Sequence, residues 1–258
     1  MLAAFDAEVR RSARPDGSGA RIEADPLVVR WVGTDGRGWS GIAWSGLEDA
    51  DADAVIAGQV AYFAARDEKF EWKLYDYDRP PDLDRRLRAA DFAAEGEESL
   101  MITEVSSVPA QVDLPSGLRL LPVTDEAGVG VLTDVHERVF GTDSSRLRRS
   151  LPAQLRDRPE AVAMVVAMAG DQPVCSARVE FLPGSGFASL WGGGTLASWR
   201  GQGIYRALIA YRARLAAARG YRYLYVDASP DSQPILARLG FSRLARTTPY
   251  VWDPRAQA

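Results

Sequence analysis

The sequence predicts an α+β fold, on three observations. Hydrophobic and charged residues make up 47% and 26% of 258 positions, the balance of a chain that buries a core. Short apolar runs alternate with stretches of helical periodicity along the whole length. Three of those runs follow one another at hairpin spacing, and a glycine-containing turn then opens a long amphipathic stretch.

In chain order, residues 27–32 read as a strand and 50–66 as a helix, with Val55, Gln59, Tyr62 and Phe63 close to 3.6-residue spacing. Residues 70–75 read as a strand, 83–90 as a short helix and 99–105 as another strand. Pro109 to Pro115, followed by Gly117, reads as a linker and divides the chain into units 1–110 and 111–258. The second unit opens with a strand at 118–123, a helix at 126–140 ended by Gly141, and an arginine-rich helix at 144–158. Strands at 161–169, 173–182 and 187–195 follow, separated by the turn segments Ala-Gly-Asp-Gln and Pro-Gly-Ser-Gly. The long helix 204–219 carries the stripe Ile204, Leu208, Tyr211, Leu215, Ala218 and is capped by Gly220. A strand at 221–227, a helix at 232–239 stopped by Gly240, and closing strands over 241–252 complete the order.

Composition excludes several function classes. Cys175 and His136 are the sole cysteine and histidine, so a disulfide framework, a Cys/His metal site and a Ser-His-Asp triad all lack parts. No apolar run approaches the ~20 residues that span a bilayer, and Asp6 and Glu8 make residues 1–14 a poor signal peptide, so a cytoplasmic location is expected. Residues 1–110 carry a net charge of −9 and residues 111–258 one of +5. The basic half is the natural host for a polyanion, yet no lysine-rich or aromatic-interleaved stripe argues for nucleic acid.

An internal echo links the two units. Glu71 to Asp76, then Pro81-Asp82-Leu83, then Leu87 to Phe92 resembles Tyr223 to Asp227, then Ser229-Pro230-Asp231, then Leu236 to Phe241. Both strings read strand, turn, short helix, Phe at the same step. Either two common strand–helix units agree by chance, or the chain holds a repeat whose first copy lacks the glycine loop and is a degenerate partner.

The chemistry concentrates on Arg200-Gly201-Gln202-Gly203 between a strand and the long helix. Unpaired amides and the positive dipole end at a helix start stabilise an anion without any basic side chain. Glycines at 201 and 203 permit positive φ and close approach to a diphosphate, and Arg200 and Arg206 add charge. The run Gly192-Gly193-Gly194 costs strand stability; a bulge, a close ligand or a flexible strand end each explains it.

Here the sequence resembles the GNAT superfamily of N-acetyltransferases, whose Arg/Gln-x-x-Gly-x-Gly/Ala motif is matched by Arg200 and Gly203, with Tyr205 in the last place. The resemblance runs from about Leu118 to Trp252. It implies a mixed central sheet with flanking helices, in which two parallel strands splay around pantetheine, preceded by a smaller, degenerate GNAT-like half. It implies acetyl-CoA, or another acyl-CoA, as cosubstrate. Cofactor contacts are then expected from the backbone of Gly193, Gly194 and Thr195, from Arg200, Gly201, Gln202, Gly203, Ile204, Tyr205 and Arg206, and from Ser229 and Ser232. Tyr205 departs from the motif, so its ring must point away from the diphosphate. Leu236 stands where many members carry a thiolate-protonating tyrosine.

The implied reaction is acyl transfer to an amine, a small molecule being the expected acceptor, with the protein a monomer or homodimer. A base must take the ammonium proton. Glu180, on the strand beside the glycine strand, is the first candidate, the alternative being a surface carboxylate neighbouring Arg178. Asp227 is the second, with turn capping as its alternative. Tyr250 is a candidate proton donor to the thiolate or an ordinary aromatic of a closing strand. His136 titrates in the useful range or simply packs. Arg146, Arg148 and Arg149 gather an acidic substrate or form a solvated helix face. An acyl-CoA-binding or regulatory module without turnover is the competing reading, supported by Leu236.

Overall fold

The computed structural model describes residues 1–15, 19–34, 38–109 and 113–256. The middle of the expected linker, 110–112, lies outside them. Helix α1 (Leu2–Phe5) runs on as a π-helical turn over Asp6–Arg11. The strands are β1 (Ala20–Ala24), β2 (Val28–Gly33), β3 (Gly41–Ser45), β4 (Phe70–Tyr75), β5 (Ala93–Ala94), β6 (Glu98–Glu104), β7 (Leu118–Val123), β8 (Val162–Ala169), β9 (Gln172–Phe181), β10 (Phe187–Thr195), β11 (Tyr223–Ala228) and β12 (Ser242–Trp252). The remaining helices are α2 (Ala52–Ala64), α3 (Leu83–Ala89), α4 (Glu126–Phe140), α5 (Ser145–Asp157), α6 (Ile204–Ala218) and α7 (Gln233–Arg238).

The described strands form one mixed sheet in the order β1-β2-β3-β4-β12-β6-β11-β10-β9-β8-β7, with β5 beside β12. Only β3–β4 and β10–β11 pair parallel, and each pair is joined by a long helix, α2 or α6. The two strings that echo each other in the sequence lie in stretches of the same element order, the first and second repeats. Strand, helix, parallel strand, short helix, Phe and antiparallel strand recur as β3-α2-β4-α3-Phe92-β6 and β10-α6-β11-α7-Phe241-β12.

The final strands of the two repeats are exchanged. β6, from the first, lies between β11 and β12; β12, from the second, lies between β6 and β4. The closing strands expected over 241–252 are in fact one eleven-residue strand. Its first half pairs with β6 on one edge, through a register shift between Arg243 and Ala245, and its second half pairs with β4 on the other.

One sheet face packs against α6 and α7 through Val179, Leu190, Ile209, Ala213, Leu224 and Leu236. On the first repeat, Val28, Ile42, Trp72, Ile56 and Phe63 form the matching core under α2 and α3. Phe5 of α1 packs on Tyr75, Phe187 and Tyr225 at the seam between the repeats. The stripe expected on α6 needs correction. Ile204 and Leu208 are buried, but Tyr211 and Leu215 are half-buried and Ala218 is exposed. The buried face instead runs through Ala207, Ile209, Arg212, Ala213 and Ala216, because small alanines let the helix lie close to the sheet and bury a wider arc.

Candidate acyl-transfer site

Strands β10 and β11 pair over only three positions, Phe187↔Tyr223, Ala188↔Leu224 and Ser189↔Tyr225. Beyond Ser189 both strands continue, β10 to Thr195 and β11 to Ala228, without pairing to each other. A gap thus opens inside the sheet, leaving backbone groups on its rims free of strand partners. The geometry has a cause on the other side of β10, where a bulge against β9 between Trp191 and Gly194 turns the strand away.

The glycine run makes that bulge possible. Gly192 has φ +56°, and a Cβ there would lie 3.2 Å from the His136 ring. A Cβ on Gly193 would lie 2.9 Å from the Tyr205 ring, and one on Gly194 would lie 2.6 Å from Val139. The run is therefore squeezed by α4 on one face and by α6 on the other. The close neighbours that require glycine here are the protein's own side chains.

At the head of α6, Gly201 and Gly203 adopt φ +78° and +83°, and Gly203 is an N-cap with no side-chain capping bond. The first bond closing the helix is Ala207 N–H to the Gly203 carbonyl, so the amides of Ile204, Tyr205 and Arg206 have no acceptor within the helix. Arg200, Gly201, Gln202 and Arg206 are exposed, and the Arg200 Nε donates to the Thr195 carbonyl at 3.2 Å, tying the turn to the end of β10. The Tyr205 ring lies against Gly193 and the core, directed away from the turn. The bare amides and the left-handed turn make an anion-binding corner, and the gap in the sheet offers unpaired backbone groups to an extended ligand.

On the sheet face opposite α6, Glu180, Ser189 and Tyr225 form one row across β9, β10 and β11, at the level where the strands part. Arg178 Nε donates to Glu180 Oε1 at 2.8 Å, and the Trp191 indole donates to Ser189 Oγ at 2.7 Å. Burial pushes the Tyr225 hydroxyl far above its ordinary range, with Asp227 and Glu180 adding to the effect. Asp227 lies two residues further along the same face of β11, and its Oδ2 meets Lys73 Nζ of β4 at 3.0 Å. His136 Nδ1 lies 3.0 Å from Ser144 Oγ. Burial, helped by Arg178, depresses its pKa and keeps the imidazole neutral at neutral pH.

The structure thus gathers Glu180, Asp227, Gly193, Gly194, Thr195 and the 200–206 turn around one gap. Ser229 and Ser232 form an exposed turn after β11, their hydroxyls 3.2 Å apart. Tyr250 is placed elsewhere. It is buried in the core of the first repeat, opposite Trp72, and takes a hydrogen bond from Arg88 at 3.3 Å. Lys73, Tyr225 and Arg212 were not singled out from the sequence. Strand alternation in Tyr223-Leu224-Tyr225-Val226-Asp227 could have placed Tyr225 beside Asp227, whereas nothing local signals that Lys73 reaches β11. Arg212 is buried on α6 and donates to the Leu208 and Arg178 carbonyls, while its Nη2 has no partner among the described residues.

Residues 132–241 match the model of the acetyltransferase (GNAT) family. These residues carry a GNAT acetyltransferase domain. Among solved structures, a GCN5-related N-acetyltransferase from Kribbella flavida superposes with a TM-score of 0.71 at 21% identity, covering 95% of this chain and 94% of that one. A functionally unknown conserved protein from Staphylococcus epidermidis gives 0.68 at 13% identity, covering 96% and 97%. A tandem GNAT protein from the clavulanic acid biosynthesis pathway gives 0.65 at 13%, covering 98% and 93%. At these identities the likeness is one of fold. A search of curated proteins with the sequence returns no match. The GNAT domain is a transferase enzyme whose family chemistry is acyl transfer, and the family match spans the strand gap, the glycine turn and α6. No helix among the described residues is long and apolar enough to cross a membrane.

Proposed function

We propose that this GNAT domain transfers an acetyl or related acyl group from acyl-CoA to the amine of a small molecule, both substrates meeting at the β10–β11 gap. The observation that carries the reading is the parting of the strands at Ser189 and Tyr225, directly beside the bare amides of Ile204, Tyr205 and Arg206. Bound there, acyl-CoA supplies an activated thioester carbonyl. The chain's own residues orient it: the 200–206 turn fixes the diphosphate, and the rim of β10 beyond Ser189 offers backbone donors to the carbonyl oxygen. Glu180, in the row where the gap opens, takes the ammonium proton from the acceptor, and Arg178 fixes its carboxylate.

In the same reading the chain is a tandem pair whose first copy is degenerate. Three features support this. Strands β3 and β4 also part after two paired positions, but Arg10 fills the space, donating to the Ala43 carbonyl and to both oxygens of Asp78 at 2.8–2.9 Å. The head of α2 carries Asp51 and Asp53 in place of a glycine turn. Arg86 ties Asp49, Asp53 and Asp82 together there. Such a corner repels a diphosphate, so one acyl-CoA per chain is expected.

Calorimetric titration with CoA, followed by mass-spectrometric detection of acyl transfer across a panel of amines, tests the proposal. Glu180→Gln should retain CoA binding at one equivalent and lose transfer by about a hundredfold or more. Tight CoA binding without transfer to any amine would favour a binding or regulatory module. Leu236, fully buried in the core, offers that alternative its support, since it puts no proton donor at the gap.

A further inference from the structure

We propose that the first repeat completes the acceptor site, Lys73 being a positioning residue that holds Asp227 so that its second carboxylate oxygen receives an N–H of the incoming amine. The proposal rests on the acyl-transfer reading above. The sheet order puts two strands, β12 and β6, between β4 and β11. The Lys73 side chain crosses both, meeting Glu98 Oε2 of β6 at 2.9 Å and Asp227 Oδ2 of β11 at 3.0 Å. Asp227 stands on the part of β11 that β10 no longer accompanies, on the same face as Tyr225 and the Glu180 row. An amine moving toward a thioester in the gap from that face passes it.

Lys73 occupies only one oxygen. Asp227 Oδ1 is shielded from solvent and has no hydrogen-bond partner among the described residues. A buried carboxylate oxygen left without a donor is destabilising, and a substrate N–H is the donor that this face lacks. Lys73 stays charged. Burial alone would lower its pKa, but Asp227, Glu71 and Glu98 outweigh burial and hold it above the ordinary range.

Steady-state kinetics of the full chain test the proposal with whichever amine the wild type accepts, comparing Lys73→Met, Lys73→Arg and Asp227→Asn alongside CoA titration of each. Lys73→Met should raise KM for the amine at least tenfold with a smaller change in kcat, and leave the CoA Kd within twofold. Lys73→Arg, which keeps the charge, should restore most of the amine KM, and Asp227→Asn should match or exceed the Met defect. The inference is overturned if Lys73→Met keeps the wild-type amine KM, or if its sole defect is a lowered melting temperature that Lys73→Arg shares. If Lys73→Met does not fold, the comparison of Lys73→Arg with Asp227→Asn decides. An unchanged amine KM in Asp227→Asn overturns the inference. A wild type that binds no CoA overturns the acyl-transfer reading itself, and the two failures are thereby distinguished.

Discussion

Two glycines at opposite ends of α6 separate the phosphate-binding role of the turn from its backbone strain. Gly201 and Gly220 both have φ +78°, and a Cβ on either meets nothing within 4 Å. Alanine at either position therefore carries the same penalty, about 1–2 kcal/mol for an L-residue held in the left-handed region. For a chain of this size that corresponds to a fall in Tm of about 2–8 °C. Only Gly201→Ala, however, adds a methyl group to the turn proposed to grip the diphosphate, in the open space that the ligand would enter. Loss of one charge-assisted bond, about 1.5–3 kcal/mol, weakens CoA binding by about ten- to a hundredfold. Gly220→Ala should lose the same stability and bind CoA like the wild type. Calorimetric titration and thermal melts of both variants make the comparison. If Gly201→Ala binds CoA as tightly as Gly220→Ala, the diphosphate does not sit at this turn.

Arg10→Met strands Asp78 in the core without its guanidinium, and should lower stability by about 3–5 kcal/mol in urea titration; a loss under 1 kcal/mol would show that Arg10 is replaceable filler. His136, the only histidine, gives a single imidazole NMR titration that should lie below the ordinary value of about 6.5. Because the unfolded chain then binds the extra proton more readily, stability rises with pH through that window, and falls as pH drops from about 6.5 toward the folded pKa. In His136→Gln this component vanishes, so unfolding curves between pH 7 and 5 should be flatter than those of the wild type; a steeper dependence would contradict the assignment.

Much of the second repeat was legible because its signals are local. The glycines at 201 and 203 need positive φ, the three hairpin strands are bounded by turn residues, and the 126–140 helix ends at a left-handed Gly141. These elements lie where periodicity placed them, to within a residue or two. What was hidden is non-local. β3 and β1 were not foreseen, since strands of only five residues, whether inside the sheet like β3 or at its edge like β1, carry little pattern of their own. The exchange of β6 and β12 depends on which edges remain open after both repeats form, which no window of sequence contains. Arg212 broke the apolar stripe of α6 because its guanidinium finds carbonyls inside the core, a satisfaction invisible to hydropathy. Arg10 lies in a stretch read only for its resemblance to a leader, and its partners Ala43 and Asp78 are 33 and 68 residues away.

The exchange of end strands also orders events at the ribosome. While the chain is being made, β4 emerges early with an unpaired edge that waits for residues 242–252, and β6 likewise waits on β11 before it has a neighbour on that side. The first repeat cannot complete its native strand pairing until residues 242–252 have been translated, so the order of synthesis leaves two β edges bare in the nascent chain, the kind of edge that pairs with other chains.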